Sequence, residues 1–461
     1  MESWIETETQ GIDLGDKRLD RRLRSILARL GAHPERSVAM ACAGGAEMHG
    51  AYRFFQHEAI TAQRILSGHQ AGTLERLRGQ TRVLCIGDST FLNYPGQRET
   101  SGLGPHSSTL EHGFILHPLV GFSVEGSCLG TMQWQSWARD PEMGKRKTRL
   151  LRPIEQKESR CWQQDVAALN HWRKVATNTE LIYVADRESD IYELLTYPRE
   201  PGVEFIIGAA RDRKTTEGSL LWAQAAQWPL AETGREKIQV MARPGSPARW
   251  AELELRWGEV ELAPPVRRDR CLPKLRLRVV WVKEVCVPSG SRPLEWMLLS
   301  SLPIDHITGA REVVAWYHQR WQIERFFLVL KQGCRVETLQ LQTRSRLEAA
   351  IAVYLIISYR IMALQAKAKL HPQAPALEVF TEQECIILGQ LSTKPASPTE
   401  LTLREACKRL AQLGGYTARK SDGPPGPKTL WIGWQRLGDF IAGARFFAQL
   451  NKVMQNDEPS G

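Results

Sequence analysis

Two short apolar runs, each ending on an aspartate, constrain the fold of this chain most strongly. Residues 83–86 lead through Gly87 to Asp88, and residues 181–185 lead directly to Asp186. Runs of this length and composition predict buried strands. In an open α/β sheet, functional groups collect where adjacent strands end at their carboxyl termini. If the two strands are neighbours, both carboxylates lie at one edge of the sheet.

The order of the predicted elements fits this arrangement. After the first run, residues 114–124 and 128–134 predict two strands of a hairpin. A helix over 158–175 precedes the second run, and a helix from 191 and a strand over 205–209 follow it. The predicted order is therefore three strands, a helix, a strand, a helix and a strand. This is the order of the ribonuclease-H-like α/β fold. In that fold the first and fourth strands lie side by side at the centre of the sheet.

The pattern changes after the fifth strand. Between about 215 and 303 the helical spacing disappears, and residues 252–257 and 275–279 alternate strictly between apolar and polar. This alternation is typical of half-buried antiparallel strands, and we therefore predict a β-rich insertion. Helical spacing returns over 309–333 and again over 343–368.

The two ends of the chain predict smaller helical domains. Residues 17–30 combine six Lys or Arg with five Ile or Leu at helical spacing, which indicates an amphipathic helix with a basic face and Gly31 as its C-cap. An ordinary solvated surface helix is the alternative. We expect a helical N-terminal domain over 1–60, a catalytic domain over 61–369 and a helical C-terminal domain over 370–461.

Composition narrows the partners. The formal net charge of +10 favours polyanions such as nucleic acid, although many basic proteins bind none. The nine cysteines include no CxxC pair, which argues against a disulfide framework and against a zinc site. The longest apolar stretch, 349–359, is shorter than the ~20 residues that span a bilayer, and the acidic N-terminus does not resemble a secretion signal. We expect a cytoplasmic protein with no membrane partner.

Two aspartates side by side repel one another unless a cation lies between them. Mg²⁺ is the natural candidate, with Mn²⁺ as a substitute, because it binds a few carboxylate oxygens together with water and phosphate. Two such ions about 3.5–4 Å apart can activate a water or a 3′-hydroxyl in phosphoryl transfer. Taken singly, Asp88 or Asp186 would more often be a strand-end or turn residue. Together, in this strand order, they favour a catalytic site.

A third carboxylate comes from the helix predicted over 309–333. At about 100° per residue, Tyr317, Arg320, Glu324 and Lys331 all fall within a ~60° sector of one face. The large apolar residues point to the opposite side, so this polar face is predicted to be exposed. A carboxylate between cations and a phenol suits a metal ligand flanked by phosphate-binding groups. A solvated face with ion pairs between successive turns is the alternative.

The spacing of these four residues resembles the Y-(2)-R-(3)-E-(6)-K signature of the IS-four family of bacterial insertion-sequence transposases, which are DDE enzymes. Six other segments also resemble the family and occur in the same order along the chain: residues 14–18, 50–54, 87–90, 186–191, 294–299 and 413–416. The resemblance implies a cut-and-paste DNA transposase in the bacterial cytoplasm, associated with the nucleoid. It also implies transposon-end and target DNA as partners, and a homodimer held by the C-terminal domain.

The resemblance implies a role for each matched position. The implied catalytic and metal-binding residues are Asp88, Asp186 and Glu324. The implied DNA contacts are Tyr317, Arg320 and Lys331 at phosphates beside the cut site, Trp296 at a base flipped out of the transposon end, and Arg18, Arg22 and Arg53 on the end DNA. For Trp296, a core position within the insertion is the alternative.

The implied chemistry has four steps: nicking of the transposon end by water, hairpin formation by the freed 3′-hydroxyl, reopening by water, and joining to target DNA. A domesticated nuclease and an inert end-binding inhibitor are the alternatives. The complete set of three carboxylates disfavours the inhibitor, and the N-terminal domain disfavours a generic nuclease. A glycosidase with paired carboxylates fits neither the charge nor the phosphate-binding residues.

One position departs from the family. Its best-known member carries a basic residue just after the fifth core strand, where this chain has Gly208 and Ala210. Arg211, Arg213 and Lys214 follow shortly afterwards, and we take them as the candidates to replace it.

Overall fold

The computed structural model describes residues 3–42, 44–97, 99–106, 111–140, 156–231, 236–240, 248–266, 271–291, 293–391, 395–419 and 422–456. Among these residues, five helices precede the first strand: α1 Ser3–Glu8, α2 Lys17–Ala32, α3 Val38–Ala41, α4 Gly45–Gln56 and α5 Ala62–Arg78. Asp16 caps α2 by accepting the Arg18 backbone N–H. The predicted C-cap at Gly31 is wrong, since α2 continues to Ala32. Position 31 has no room for a side chain, because the Trp4 ring packs where a Cβ of Gly31 would lie.

A single mixed sheet forms the centre of the fold. Within the described part of the chain its strands are β1 Arg82–Gly87, β2 Thr90–Asn93, β3 Gly104–Pro105, β4 His112–Ser123, β5 Cys128–Trp137, β6 Glu180–Ala185, β7 Val203–Gly208, β8 Glu236–Val240, β9 Arg249–Leu262, β10 Leu275–Glu284 and β11 Glu295–Ser300. Strands β1 and β6 are parallel neighbours, with β4 and β5 on one side and β7 on the other. The ribonuclease-H-like order predicted from the sequence is confirmed.

Both faces of the central strands are buried. Leu84 and Ile86 of β1 belong to one apolar cluster, whereas Val83 and Cys85 belong to another on the opposite face. Because alternate side chains of a strand point to opposite faces, a run without polar residues is required when both faces are covered. This explains why β1 and β6 read as continuous apolar runs.

The insertion predicted after the fifth strand is an extension of the same sheet. Strand β11 pairs antiparallel with β7, and β10, β9 and β8 follow outward in that order. Burial alternates along β9, as its sequence pattern predicted. Residues 232–235, 241–247, 267–270 and 292 of the predicted insertion lie outside the described residues.

The helix predicted over 309–333 is interrupted. Helix α9 (Ile307–Gln319) ends before Arg320, α10 (Gln322–Leu328) follows, and a wider π turn completes the segment at Val329–Gly333. The backbone N–H of Arg320 donates to the carbonyl of Tyr317, three residues back instead of four. Residues on either side of this break are therefore not related by uniform 100° steps. Among the described residues, the helices between strands of the sheet are α6 Arg160–Val175, α7 Tyr192–Leu195 and α8 Leu221–Ala226.

Helix α11 (Arg344–Leu370) begins at the Thr343 cap, close to the predicted start. By length and composition alone it could cross a membrane, but 89% of its most apolar window is buried inside the fold. It is a core helix.

Three further helices follow in the described part of the chain: α12 Glu382–Gln390, α13 Leu403–Leu413 and α14 Pro427–Asn456. Their apolar cluster includes Phe380, Leu410 and Trp434 and is separate from the clusters that flank the sheet. Further along α14, four large apolar side chains are exposed: Phe440, Phe446, Phe447 and Leu450.

Candidate active site at the carboxyl ends of β1 and β6

The register of β1 against β6 places the two predicted aspartates side by side. Ile86 pairs with Val184, so Asp88 and Asp186 each lie two residues beyond a matched pair. Neighbouring strands are about 4.8 Å apart. Both aspartates are half-buried and follow the carboxyl ends of these two central strands, as the sequence predicted.

Each aspartate uses one oxygen to hold its own turn. Asp88 Oδ1 accepts the Ser89 backbone N–H at 2.8 Å. Asp186 Oδ1 accepts the Glu188 backbone N–H at 2.8 Å and so caps the short 3₁₀ turn Arg187–Ser189. These local bonds fix the carboxylates while leaving oxygen lone pairs for another partner.

The electrostatic surroundings of Asp88 favour a bound cation. Burial raises the pKa of Asp88 to about 7, and the negative charge of Asp186 acts in the same direction. Arg320 and the Ser89 N–H oppose this rise, while Glu324 adds to it. A carboxyl group crowded by other carboxylates is stabilised in its charged form when a cation lies among them.

Glu324 reaches this edge from a different element. It lies in the first turn of α10 and is exposed, yet its charge acts on Asp88. Among the described residues, no three His, Cys, Asp or Glu side chains are close enough together to form a preassembled metal site. The donors are all carboxylate oxygens, which fit a hard divalent cation. The residue types present therefore suit such an ion.

Arg320 forms an ion pair with one of these carboxylates. Its Nη1 donates to Asp88 Oδ2 at 3.3 Å. Lys331 approaches the same turn, and its Nζ donates to the Phe91 carbonyl oxygen at 2.8 Å and lies 3.4 Å from Glu337 Oε1. Both cations thus lie beside the β1–β2 turn, although the helix between them is not continuous.

Tyr317 departs from that prediction. It is only 6% exposed, so the expectation that the whole polar face is exposed is wrong for this residue. Its ring packs edge-on against Trp296, with the centroids 5.1 Å apart. Its hydroxyl lies 2.5 Å from where a Cβ at Gly208 would stand. The Tyr317 hydroxyl fits here because Gly208 has no side chain.

Trp296 is half-buried in β11 and borders an open cleft. The cleft is lined by Ile238, Gln239, Val240, Leu294, Trp296, Tyr317, His318, Arg320 and Trp321. Trp296, Tyr317 and Trp321 give the cleft aromatic surface. Arg320 lines the cleft and also contacts the Asp88 carboxylate. Trp296 is neither fully buried in the insertion nor fully exposed.

The candidates to replace the missing basic residue behave differently from one another. Arg213 is 8% exposed, and its Nε donates to Asp190 Oδ1 at 3.2 Å while Nη2 donates to the Asp190 carbonyl at 2.9 Å. The Asp190 carboxylate also accepts the backbone N–H groups of Ala210 and Arg211. Arg213 therefore serves an internal contact, which leaves Arg211 and Lys214 as the candidates for a DNA contact. The side chains of Arg211 and Lys214 are exposed.

The predicted end-binding arginines Arg18, Arg22 and Arg53 differ in their contacts from two other arginines of α2. Arg24 donates to Thr9 and Arg29 to Glu47, so both serve internal contacts. Arg18 on α2 and Arg53 on α4 are exposed. Arg22 is half-buried, and its guanidinium lies against Gly50 of α4, so close that a Cβ there would clash.

Sequence reasoning missed a buried polar group beneath this edge. His117 of β4 lies between Ser89 and Asp165 of α6, with Ser89 Oγ 2.7 Å from Nδ1 and Asp165 Oδ2 2.8 Å from Nε2. The available signals were a lone histidine within an apolar strand and a lone aspartate within a helix. Neither signal has a spacing that reveals the partner.

Three family models match the chain. The model described as transposase DNA-binding matches residues 1–60, the transposase DDE domain matches 152–360, and the transposase Tn5 dimerisation domain matches 356–453. The DDE segment contains Asp186 and Glu324, while Asp88 precedes it. The chain therefore combines DNA binding, dimerisation and a catalytic domain of a kind that uses divalent metal ions. It belongs to the Tn5-like DDE transposases, enzymes that cleave DNA and transfer its strands.

Proposed function

We propose that this protein is a cut-and-paste transposase whose catalytic carboxylates are Asp88, Asp186 and Glu324. The observation that carries the proposal is the matched register of β1 and β6, which places two carboxylates at one edge of the sheet. The raised pKa of Asp88 supports a cation there, because burial and neighbouring carboxylates leave its charge under-compensated. Mg²⁺ is the proposed ion, with Mn²⁺ as its substitute.

The three carboxylates have distinct tasks in this proposal. Asp88 and Asp186 present oxygens from fixed turns, and Glu324 completes the set from α10. When bound, divalent ions make a water or a 3′-hydroxyl more nucleophilic and stabilise the leaving oxygen. Because the two aspartates come from adjacent strands of a rigid sheet, their spacing does not depend on the DNA. Glu324, on an interrupted helix, can adjust when the substrate arrives.

Arg320 and Lys331 hold the strand being cut, and Tyr317 assists from beneath them. The Arg320 guanidinium contacts Asp88 through one nitrogen, which leaves other N–H groups to donate to a phosphate. Lys331 adds a second positive charge on the same side. Tyr317 acts from a buried position, where its ring supports Trp296.

Trp296 accepts a base that has been flipped out of the transposon end. Its cleft offers aromatic surface next to Arg320, and stacking of a base on an aromatic ring stabilises binding by about 1–3 kcal/mol. A base that leaves the duplex lets the strand bend sharply, and a hairpin requires such a bend. We therefore propose nicking, hairpin formation, reopening by water, and attack of the 3′-hydroxyl on target DNA.

The remaining regions bring two ends together. Arg18, Arg22 and Arg53 of the helical domain over 1–60 contact end DNA, and exposed Arg211 and Lys214 extend the basic surface. The catalytic domain occupies 61–369, and the C-terminal domain over 370–461 joins two subunits around paired ends in a synaptic complex. The enzyme would act at the nucleoid in the bacterial cytoplasm.

A time course on labelled end duplexes tests the proposal. The duplexes are taken from the inverted repeats that flank the coding region, and nicked, hairpin and double-strand-break species are resolved. Asp88→Ala, Asp186→Ala and Glu324→Ala should each abolish every species, while the Kd for end DNA stays within about twofold of the wild type. Glu312→Ala removes an exposed carboxylate from neighbouring α9 and should cleave normally. Near wild-type cleavage by any triad variant in Mg²⁺ would remove that residue from the site.

The same gels distinguish the steps and the alternatives. Trp296→Ala should slow hairpin formation more than first nicking, because only the hairpin needs an unstacked base. Equal slowing of all species contradicts the base-flipping role without touching the carboxylates. Cleavage by the wild type without joining to a target plasmid indicates a nuclease. Tight end binding without cleavage indicates an inhibitor.

A further inference from the structure

A charged pair is buried directly beneath the turn that carries Asp88. The side chains of His117 and Asp165 are both 0% exposed, and His117 Nε2 lies 2.8 Å from Asp165 Oδ2. The carboxylate also accepts the Tyr183 hydroxyl at 3.0 Å through Oδ2 and the Gln135 amide at 3.0 Å through Oδ1. Four elements of the catalytic domain, β4, β5, β6 and α6, thus meet at one carboxylate.

The pair contacts the chain on both sides of Asp88. On one side, His117 Nδ1 lies 2.7 Å from the Ser89 hydroxyl oxygen, and the Ser89 backbone N–H holds Asp88 Oδ1. On the other side, Asp165 Oδ2 lies so close to Gly87 that a Cβ there would clash. The position of Asp88 is therefore bracketed by contacts to the same buried pair.

The protonation state of His117 determines whether the Ser89–His117–Asp165 contacts could activate the Ser89 hydroxyl as a nucleophile. Burial lowers the pKa of His117, but the Asp165 carboxylate and its hydrogen bond outweigh that effect and raise the pKa to about 10. At neutral pH both ring nitrogens are protonated and donate, one to Asp165 and one to Ser89. An imidazolium cannot take a proton from Ser89, so the order Ser–His–Asp does not make a nucleophilic triad here.

Stability alone does not account for such a pair. A buried ion pair seldom stabilises a fold more than apolar side chains of the same volume, because both charges lose their hydration. A fully bonded ion pair does, however, hold its partners in one orientation, since its donors and acceptors are directional. That property is useful beside a side chain whose carboxylate has to be aimed.

We propose that His117 and Asp165 are positioning residues that hold Ser89 and Gly87, and through them aim the Asp88 carboxylate. The inference rests on the proposed role of Asp88 as a metal ligand. It extends that role to residues that touch neither DNA nor ion. Partners of this kind, one step removed from a ligand, commonly change metal affinity or activity by about 10–100-fold when removed.

Two measurements test the inference. Mn²⁺ binding to the full-length protein without DNA is followed by electron paramagnetic resonance, which counts bound ion without turnover, and end cleavage is followed on labelled duplexes. Ser89→Ala, His117→Asn and Asp165→Asn should each weaken Mn²⁺ binding and slow cleavage by about tenfold or more. The Kd for end DNA should stay within about twofold of the wild type. Ser89→Thr keeps the hydroxyl and should restore both properties.

The chain supplies a matched control in a second buried histidine. His69 of α5 is 0% exposed, its Nδ1 is paired with Glu8, and its Nε2 accepts the Thr131 backbone N–H, all away from Asp88. His69→Asn should lose thermal stability as His117→Asn does, yet bind Mn²⁺ and cleave saturating end DNA at near the wild-type level.

The outcomes separate this inference from the proposed function. Equal cleavage and equal Mn²⁺ affinity in His69→Asn and His117→Asn would overturn the positioning role, and so would wild-type behaviour of Ser89→Ala. Either result leaves the triad in place if Asp88→Ala still abolishes cleavage. If Asp88→Ala itself cleaves and binds Mn²⁺ like the wild type, the proposed function fails first.

Discussion

Two aspartate–arginine pairs lie near the same edge of the sheet and differ in almost every physical respect. Asp190 and Arg213 are buried, meet through several N–H donors, and share their oxygens with two backbone N–H groups. Asp88 and Arg320 are more exposed, at 15% and 17% of their side chains, and meet through one contact at 3.3 Å. The Asp190 carboxylate thus accepts hydrogen bonds on all its lone pairs, whereas the Asp88 carboxylate has lone pairs left over. Unfilled acceptor capacity marks the carboxylate that is available to a ligand.

The largest difference between the pairs should appear in stability. Removal of one partner from a buried ion pair leaves an uncompensated charge and costs about 3–5 kcal/mol. Asp190→Ala and Arg213→Ala should therefore lower the thermal midpoint of unfolding by many degrees. Arg320→Ala should change it little, because a partly exposed pair contributes about 1 kcal/mol or less. Scanning calorimetry of the full-length, metal-free protein makes the comparison, and a larger loss for Arg320→Ala would reverse our assignment.

Cleavage should rank the arginines in the opposite order. Arg320→Ala and Lys331→Ala should slow cleavage by about tenfold or more, which corresponds to about 1.4 kcal/mol of lost transition-state stabilisation for each factor of ten. End binding should change less, since the arginines of α2 and α4 remain. Single-turnover rates with saturating enzyme test this. Arg325→Ala is a suitable control, as Arg325 is bonded to Gln322 and Gln365 instead of the carboxylates. A rate for Arg320→Ala equal to that of Arg325→Ala contradicts the phosphate-binding role.

A further difference is a pH dependence that is expected only for the Asp88–Arg320 pair. The pKa of Asp88 in the folded protein is raised to about 7, so between about pH 4 and 7 the folded state binds a proton that the unfolded state releases. The stability that this proton contributes is present at low pH and is lost as the pH rises towards 7. Without metal, Asp88→Asn should therefore melt above the wild type at pH 8, and the gap should narrow below pH 5.

Melting curves at several pH values, with and without Mn²⁺, check this expectation. Added Mn²⁺ should raise the melting temperature of the wild type at pH 8 but leave that of Asp88→Asn nearly unchanged. Asp190→Asn serves as the control and should be destabilised at both ends of the pH range. A wild-type protein that is more stable than Asp88→Asn at pH 8 without metal would contradict the raised pKa.

The parts of this molecule that could be predicted from sequence depend on local patterns. The runs before Asp88 and Asp186 are apolar because both faces of a central strand are covered, and that requirement is visible in the chain itself. The Arg320, Glu324 and Lys331 spacing was informative for a similar reason, since helical periodicity relates near neighbours. The interruption after Gln319 altered the angles without moving the two cations from the Asp88 turn.

The parts that could not be predicted depend on distant partners. Tyr317 is buried because Gly208, more than one hundred residues earlier, leaves space for its hydroxyl. Arg213 is buried because Asp190 lies beneath it, and nothing in the spacing distinguishes it from exposed Arg211. Periodicity predicts which face of an element is apolar, but not which polar residue on another element will meet it.

The pairing of β11 with β7 has a consequence for how this enzyme can evolve. Leu298 is in register with Gly208, so the same backbone ladder that carries Trp296 is tied to the strand beside β6. Successive residues of a strand face opposite sides, and one residue gained or lost between Trp296 and Leu298 would turn the indole to the other face. Selection on this part of the gene should therefore preserve the number of residues in β11.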